Sequence, residues 1–297
     1  MHAPMAISVS MPMLAAPAAG VMLALLGLSY KVAEATGCRP LPFTELMCLT
    51  AAGIAAVPAC LERAAWHEPR LWLLGAGMGL MLCGAIQLMI SVNRLGSASV
   101  AWCVSNLALL VPILLSSAFL GEKLRPVHGL LLALFGAMLL AFGKGSAGAG
   151  GIRTERRTAF WLLLGLLFLA NGLLSFGFKL KAAIYPAGNS GGLALIYFGT
   201  TAAFALGTEL VRSGGVLFTR AEWRAGLMAG ASCGLGNLLL LVAARAPAVL
   251  VFPLAQSLSL LGGVALIAVV YRERFNAAEW VGMTLGLGVL LMALLTG

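Results

Sequence analysis

The chain has 297 residues, 61% of them hydrophobic and only 10% charged, and its mean hydropathy is +1.00. An ordinary soluble domain carries roughly 25% charged residues, so this composition excludes a water-facing globule. The formal net charge of +9 comes from Lys and Arg set singly or in pairs between apolar runs, which excludes the concentrated basic face of a nucleic-acid binder.

A bilayer core about 30 Å thick is crossed by roughly 20 apolar residues in a helix. Apolar runs closed by a charge, a Pro or a Gly cluster predict helices near 12–35, 43–61, 71–92, 97–120 and 126–143. A second set follows near 158–183, 190–211, 222–243, 247–270 and 277–296. The first run has no Lys or Arg ahead of it, so it reads as a helix of the fold and not as a secretory signal. Between the sets, Lys144 to Arg157 reads KGSAGAGGIRTERR, polar, Gly-rich and basic, which makes 144–157 a linker between a five-helix unit at 1–143 and another at 158–297.

The two units match in sequence. At a constant shift of 151, Trp72 pairs with Trp223, Gly75 with Gly226, Gly79 with Gly230, Arg94 with Arg245, and Glu122-Lys123 with Glu273-Arg274. At a slightly different shift, Leu28-Ser29-Tyr30-Lys31 matches Phe176-Gly177-Phe178-Lys179. A unit of five helices crosses the membrane an odd number of times, so its second copy enters from the opposite side. The predicted fold class is therefore all-α and integral to the membrane, with ten transmembrane helices arranged as two inverted repeats. In such folds the substrate site lies near mid-membrane, where the repeats meet.

The fourth predicted helix runs into the fifth as SASVAWCVSNLALLVPILLSSAFLGEKLRPVHGLLLALFGAMLLAFG. Its partner in the second half reads APAVLVFPLAQSLSLLGGVALIAVVYRERFNAAEWVGMTLGLGVLLMALL. Both resemble the EamA repeat of the drug/metabolite transporter superfamily in their small-residue start, Gly-Glu-basic turn and Gly-spaced last helix. Pro112 fits the central proline of that pattern, whereas Gly263 holds the matching position in the second half and Arg272 replaces the Gly that precedes Glu122. The resemblance implies carriage of metabolites, amino acids or drugs across a membrane, by exchange or proton coupling, in the inner membrane of a cell if the source is bacterial.

Polar groups within the apolar runs are the candidates for a substrate site, because such groups usually face protein or a water-filled cavity. Those chosen are Gln87, Ser105, Asn106, Asn171, Asn237 and Gln256, with Trp102 and Tyr197 as pocket walls. Lys31 and Lys179 occupy matching places in the two units and are candidates for attracting an anionic solute, while Glu34 or Glu209 is a candidate for a coupling proton. Against each stands a structural role, as interhelical glue for the amides or as snorkelling at the head groups for the charges. The glycine spacings Gly75-x3-Gly79 and Gly226-x3-Gly230 read as close helix packing, and the Glu122-Lys123 turn reads as a cap at a helix end.

No metal site, cofactor or catalytic residue is expected. The six cysteines form no CxxC pair, the three histidines sit at predicted ends or loops, and no HExxH, GxSxG or DxxxD pattern occurs. The expected partners are a small-molecule substrate and the lipid bilayer. A membrane-embedded enzyme and a non-transporting accessory membrane protein are the competing classes. Summed by side, the face bearing the N-terminus has seven Lys and Arg and the face bearing the linker has twelve. The positive-inside rule then puts the linker in the cytoplasm, whereas the resemblance implies cytoplasmic termini.

Overall fold

The computed structural model describes residues 5–62, 68–95, 104–146, 157–186, 188–213, 217–272 and 277–296. Among them the secondary structure is helical: α1 (Met5–Ala35), α2 (Pro40–Leu61), α3 (Pro69–Leu95), α4 (Leu110–Leu120), α5 (Pro126–Ser146), α6 (Arg157–Ile184), α7 (Ser190–Ser213), α8 (Arg220–Ala243), α9 (Ala248–Tyr271) and α10 (Ala277–Thr296). Seven of these are long and apolar enough to cross a membrane, and shorter apolar stretches at Val104–Leu120, Pro126–Ala141 and Trp280–Ala293 cover α4, α5 and α10. Leu61, Leu73, Phe119, Val211, Val269 and Leu295 stand on the outside of the bundle, more than half exposed. A water-facing surface rarely holds so many large apolar side chains; hydrocarbon is the solvent that accepts them. The chain is a multi-pass membrane protein.

The fourth helix differs from its predicted continuous run over 97–120. Helical residues at 104–107 give way to a turn at 108–109 before α4 begins. Pro112 explains the break: it donates no hydrogen bond, and its ring crowds the carbonyl of residue 108. The chain instead closes tighter bonds there, Leu109 N–H to Asn106 O at 3.3 Å and Val111 N–H to Ala108 O at 3.0 Å.

Charged contacts fix the direction of the helices. Arg39, the N-cap of α2, bonds Glu222 in the first turn of α8 and pairs with Glu209 late in α7. At the other end of α2, Glu62 accepts from the Gly191 N–H in the first turn of α7 at 3.0 Å. Helix α2 is therefore antiparallel to α7 and parallel to α8. Lys179, late in α6, reaches Glu122 just beyond α4 and the carbonyls of Ala244 and Ala246 between α8 and α9. The bundle thus has an Arg39 end, where α1 finishes, and a Lys179 end, where α6 finishes. Helices α1 and α6 run in opposite senses.

Nearly all extensive packing joins one half of the chain to the other. Helix α1 lies on α8 and α9, while α6 lies on α3 and α4; α2 lies on α7 and α8, while α7 lies on α2 and α3; α5 pairs with α10. Adding or subtracting five turns each of these contacts into another member of the set. Small residues make the approaches possible, because apolar helices in lipid gain little from hydrophobic burial against each other. A Cβ on Gly79 of α3 would sit 2.6 Å from the Tyr197 carbonyl of α7, and one on Gly226 of α8 would sit 2.6 Å from the Leu46 Cβ of α2. The glycine spacings do what the sequence predicts of them, on matching partners in each half.

Candidate functional site

The centre of the bundle is aromatic and thiol-rich. Tyr30 of α1 donates to the Met47 sulfur of α2 at 3.7 Å and meets the Phe43 ring at 5.6 Å. On the matching helices, Phe178 of α6 meets Tyr197 of α7 edge-on at 6.3 Å, and Tyr197 also meets Phe198 at 4.0 Å. Cys48 and Cys233 lie in the same region, both buried. Tyr197 is 1% exposed, so the predicted wall residue is a core residue in this state of the protein.

The predicted amides are distributed around this core. Asn171 donates to Leu167 O at 3.1 Å, and Asn237 donates to Cys233 O at 2.8 Å; each bond stays within its own helix. Gln87 of α3 is half-buried with its Nε2 enclosed and unpartnered, and Gln256 of α9 is half-buried. Ser105 and Asn106 lie in the short helical stretch 104–107 ahead of α4, Asn106 being buried. Ser257, which matches Asn106 in the repeat, is buried in α9 with its hydroxyl unpartnered. Trp102 lies outside the described residues. An open groove of about 410 Å³ on the outer face of α7, lined by Ala203, Phe204, Gly207, Thr208, Val211 and Arg212, takes in none of the predicted site residues.

The two predicted lysines are not brought together. Lys31 lies at the Arg39 end with its side chain 37% exposed, 3.7 Å from Glu34, which is 77% exposed. Lys179 lies at the opposite end, 5% exposed. Its ammonium pairs with Glu122 and donates to Ala244 O at 3.0 Å and Ala246 O at 2.8 Å. An ammonium has three donors, and here all three are engaged, so Lys179 offers nothing to an anion in this geometry. Glu122 closes the cluster: its second oxygen accepts the Ala248 N–H at 2.8 Å and so caps α9, where a negative charge also suits the helix dipole. The expected cap is real, but it serves a helix of the other half.

Sequence reasoning singled out Glu209 but passed over Arg39, Glu222 and Glu45, which organise the Arg39 end with it. Glu222 accepts the Thr219 N–H at 2.7 Å and returns its own N–H to the Thr219 hydroxyl at 3.2 Å, a capping box that the spacing Thr219-x2-Glu222 signals directly. The same carboxylate accepts from Arg39 Nε at 2.8 Å and from the Arg39 backbone N–H at 3.1 Å, stitching the starts of α2 and α8 together. Hydrogen bonding to Glu222 holds the Arg39 guanidinium above even its ordinary range. Arg39 also donates to Leu217 O and stands 3.8 Å from Glu209. One turn and a half further into α2, Glu45 is 3% exposed and its Oε2 has no partner. At the Lys179 end, Tyr185 donates to Glu68 Oε2 at 2.5 Å, and that bond pushes the phenol up from its ordinary value.

No family model and no curated protein matches the chain. A solved crystal structure superposes on it with a TM-score of 0.81 over 97% of this chain and 97% of its own, at 18% sequence identity. At that identity the likeness is one of fold, and it extends over the whole bundle.

Proposed function

We propose that the chain is a secondary transporter of the EamA-like, drug/metabolite transporter type, crossing the membrane ten times as two inverted five-helix repeats and moving a small organic solute by alternating access. The observation that carries this reading is the packing between halves. The most extensive contacts of one unit with the other recur between the matching helices, and the matching helices α1 and α6 run in opposite senses. An assembly of that symmetry has two arrangements of similar energy, one opening each end, which is what a carrier requires. Ion-pair clusters stand at both ends, Arg39 with Glu222 and Glu209 at one and Lys179 with Glu122 at the other. Opening one end while the other stays tied gives alternating access. The inner membrane is the expected site in a bacterial cell.

Counterflow in proteoliposomes tests the reading. Purified protein is reconstituted in vesicles preloaded in turn with amino acids, carboxylates and lipophilic cations. At least one class is expected to drive saturable uptake of its labelled form, and absence of counterflow across the whole panel would favour an accessory membrane protein.

A further inference from the structure

We propose that the Glu45 carboxyl is the proton-binding site of the carrier, loaded and emptied at the Arg39 end; the proposal rests on the transporter reading above. Glu45 is on α2, which packs against α7 and α8. It is 3% exposed, and one of its carboxyl oxygens is fully enclosed without a hydrogen-bond partner. An ionised carboxylate left so is among the costliest groups a protein can bury, and binding a proton removes the charge.

Among the described residues, the charged groups around it leave no cation to serve instead. From α7, Glu209 acts on Glu45 electrostatically and adds a second negative charge. From α8 comes Glu222, 1% exposed and bonded to Arg39 at 2.8 Å. Arg39 is the cation of this cluster, and it already serves Glu222, Glu209 and the Leu217 carbonyl. Arg212, Arg220 and Arg224 at the same end are exposed, and Lys31 of α1 is turned to Glu34. Among the described residues the Arg39 guanidinium thus engages Glu209 and Glu222, and Glu45 makes no ion pair with it. Among the described residues no three acidic, Cys or His side chains are grouped so as to hold a metal ion. The ligand that suits Glu45 is a proton.

Release follows from opening of this end. Water reaches the carboxyl, the O–H bond breaks, the proton passes to that water, and the carboxylate left behind is hydrated; closing the end again requires the reverse. Coupling lies in that requirement, because the closed cluster accepts Glu45 only when it is neutral.

Infrared spectroscopy on the purified protein in lipid, taken through a pH titration, reads the site without any solute. The wild type is expected to show the carbonyl stretch of a protonated carboxyl that vanishes as pH rises. Glu45→Gln should lack that titrating band, and Glu34→Gln, altered at an exposed carboxylate, should keep it. A titrating band of full size in Glu45→Gln, or none in the wild type, overturns the proposal. Should Glu45→Gln fail to insert, Glu45→Asp serves: it retains a carboxyl and must show the band at a shifted frequency. With whichever panel solute gives counterflow, Glu45→Gln should keep counterflow but lose at least tenfold of the accumulation driven by a pH gradient. Undiminished pH-driven accumulation also overturns the proposal. A titrating band without counterflow would instead sink the transporter reading and leave the proton site standing.

Discussion

Two polar contacts seal the Lys179 end at the level of single residues, and each can be taken apart. Lys179→Met strips the charge partner from Glu122 and the donors from Ala244 O and Ala246 O. Breaking a buried pair in this way costs roughly 3 kcal/mol, and Glu122, whose side chain is 21% exposed, recovers part of that from water. Lys179→Met is expected to lower the melting temperature clearly, and adding Glu122→Gln should cost less than it does in the wild type. Lys31→Met, which removes an exposed pair, should cost at most about 1 kcal/mol. A thermal-shift series on the four variants decides the matter. Tyr185 is the second contact. Its phenol is raised because the hydrogen bond to Glu68 favours the protonated form, so the contribution is present below the ordinary tyrosine range and is lost as pH climbs through the higher folded value. Ultraviolet titration should find one tyrosine ionising at lower pH in Glu68→Gln than in the wild type.

At the level of the helices, positions related by the 151-residue shift differ in how well their residues suit the backbone. Gly121 and Arg272 occupy matching positions at the ends of α4 and α9, and both are left-handed, with φ of 70° and 55°. An L-residue pays roughly 1–2 kcal/mol for that conformation and glycine does not. Arg272→Gly is therefore expected to raise thermal stability by about 1 kcal/mol, and Gly121→Ala to lower it by a similar amount. The close approaches behave differently. An added Cβ at Gly79 meets the Tyr197 carbonyl at 2.6 Å and one at Gly230 meets the Met47 carbonyl at 2.6 Å, whereas at Gly77 it meets nothing within 4 Å. Gly79→Ala also disturbs the bond from the Thr201 hydroxyl to Gly79 O at 2.9 Å. Both tight substitutions should cost roughly 1–3 kcal/mol in unfolding measurements, while Gly77→Ala should be neutral or slightly stabilising.

On the scale of the whole molecule, the ends of the bundle differ in charge. Counted along the sequence, twelve of the nineteen Lys and Arg fall on the side predicted to bear the linker and seven on the side predicted to bear the N-terminus. The charge imbalance is the physical argument for orientation, and by the positive-inside rule it predicts a cytoplasmic Arg39 end. A cysteine introduced as Gly148→Cys is expected to be protected from an impermeant thiol reagent in intact cells. Strong labelling would place the termini inside, as the sequence resemblance implies.

The apolar helices were legible in the sequence because lipid imposes a length and a polarity on a crossing, and runs such as 190–211 or 277–296 lie within a few residues of the observed helices. The glycine spacings were legible for the same reason, since close packing in lipid needs small residues one turn apart. The break before α4 was announced by Pro112, but apolarity continues through it and masks the change. What tertiary structure alone decided was the fate of the charges. Lys31 and Lys179 match in sequence, yet one is exposed beside Glu34 and the other is enclosed by Glu122 and two carbonyls. Glu45 looks like any glutamate near a helix start, and only the arrival of α7 and α8 leaves its oxygen without a partner. Apolar pattern is written residue by residue along the chain, whereas the environment of a charge is set by helices far away in sequence.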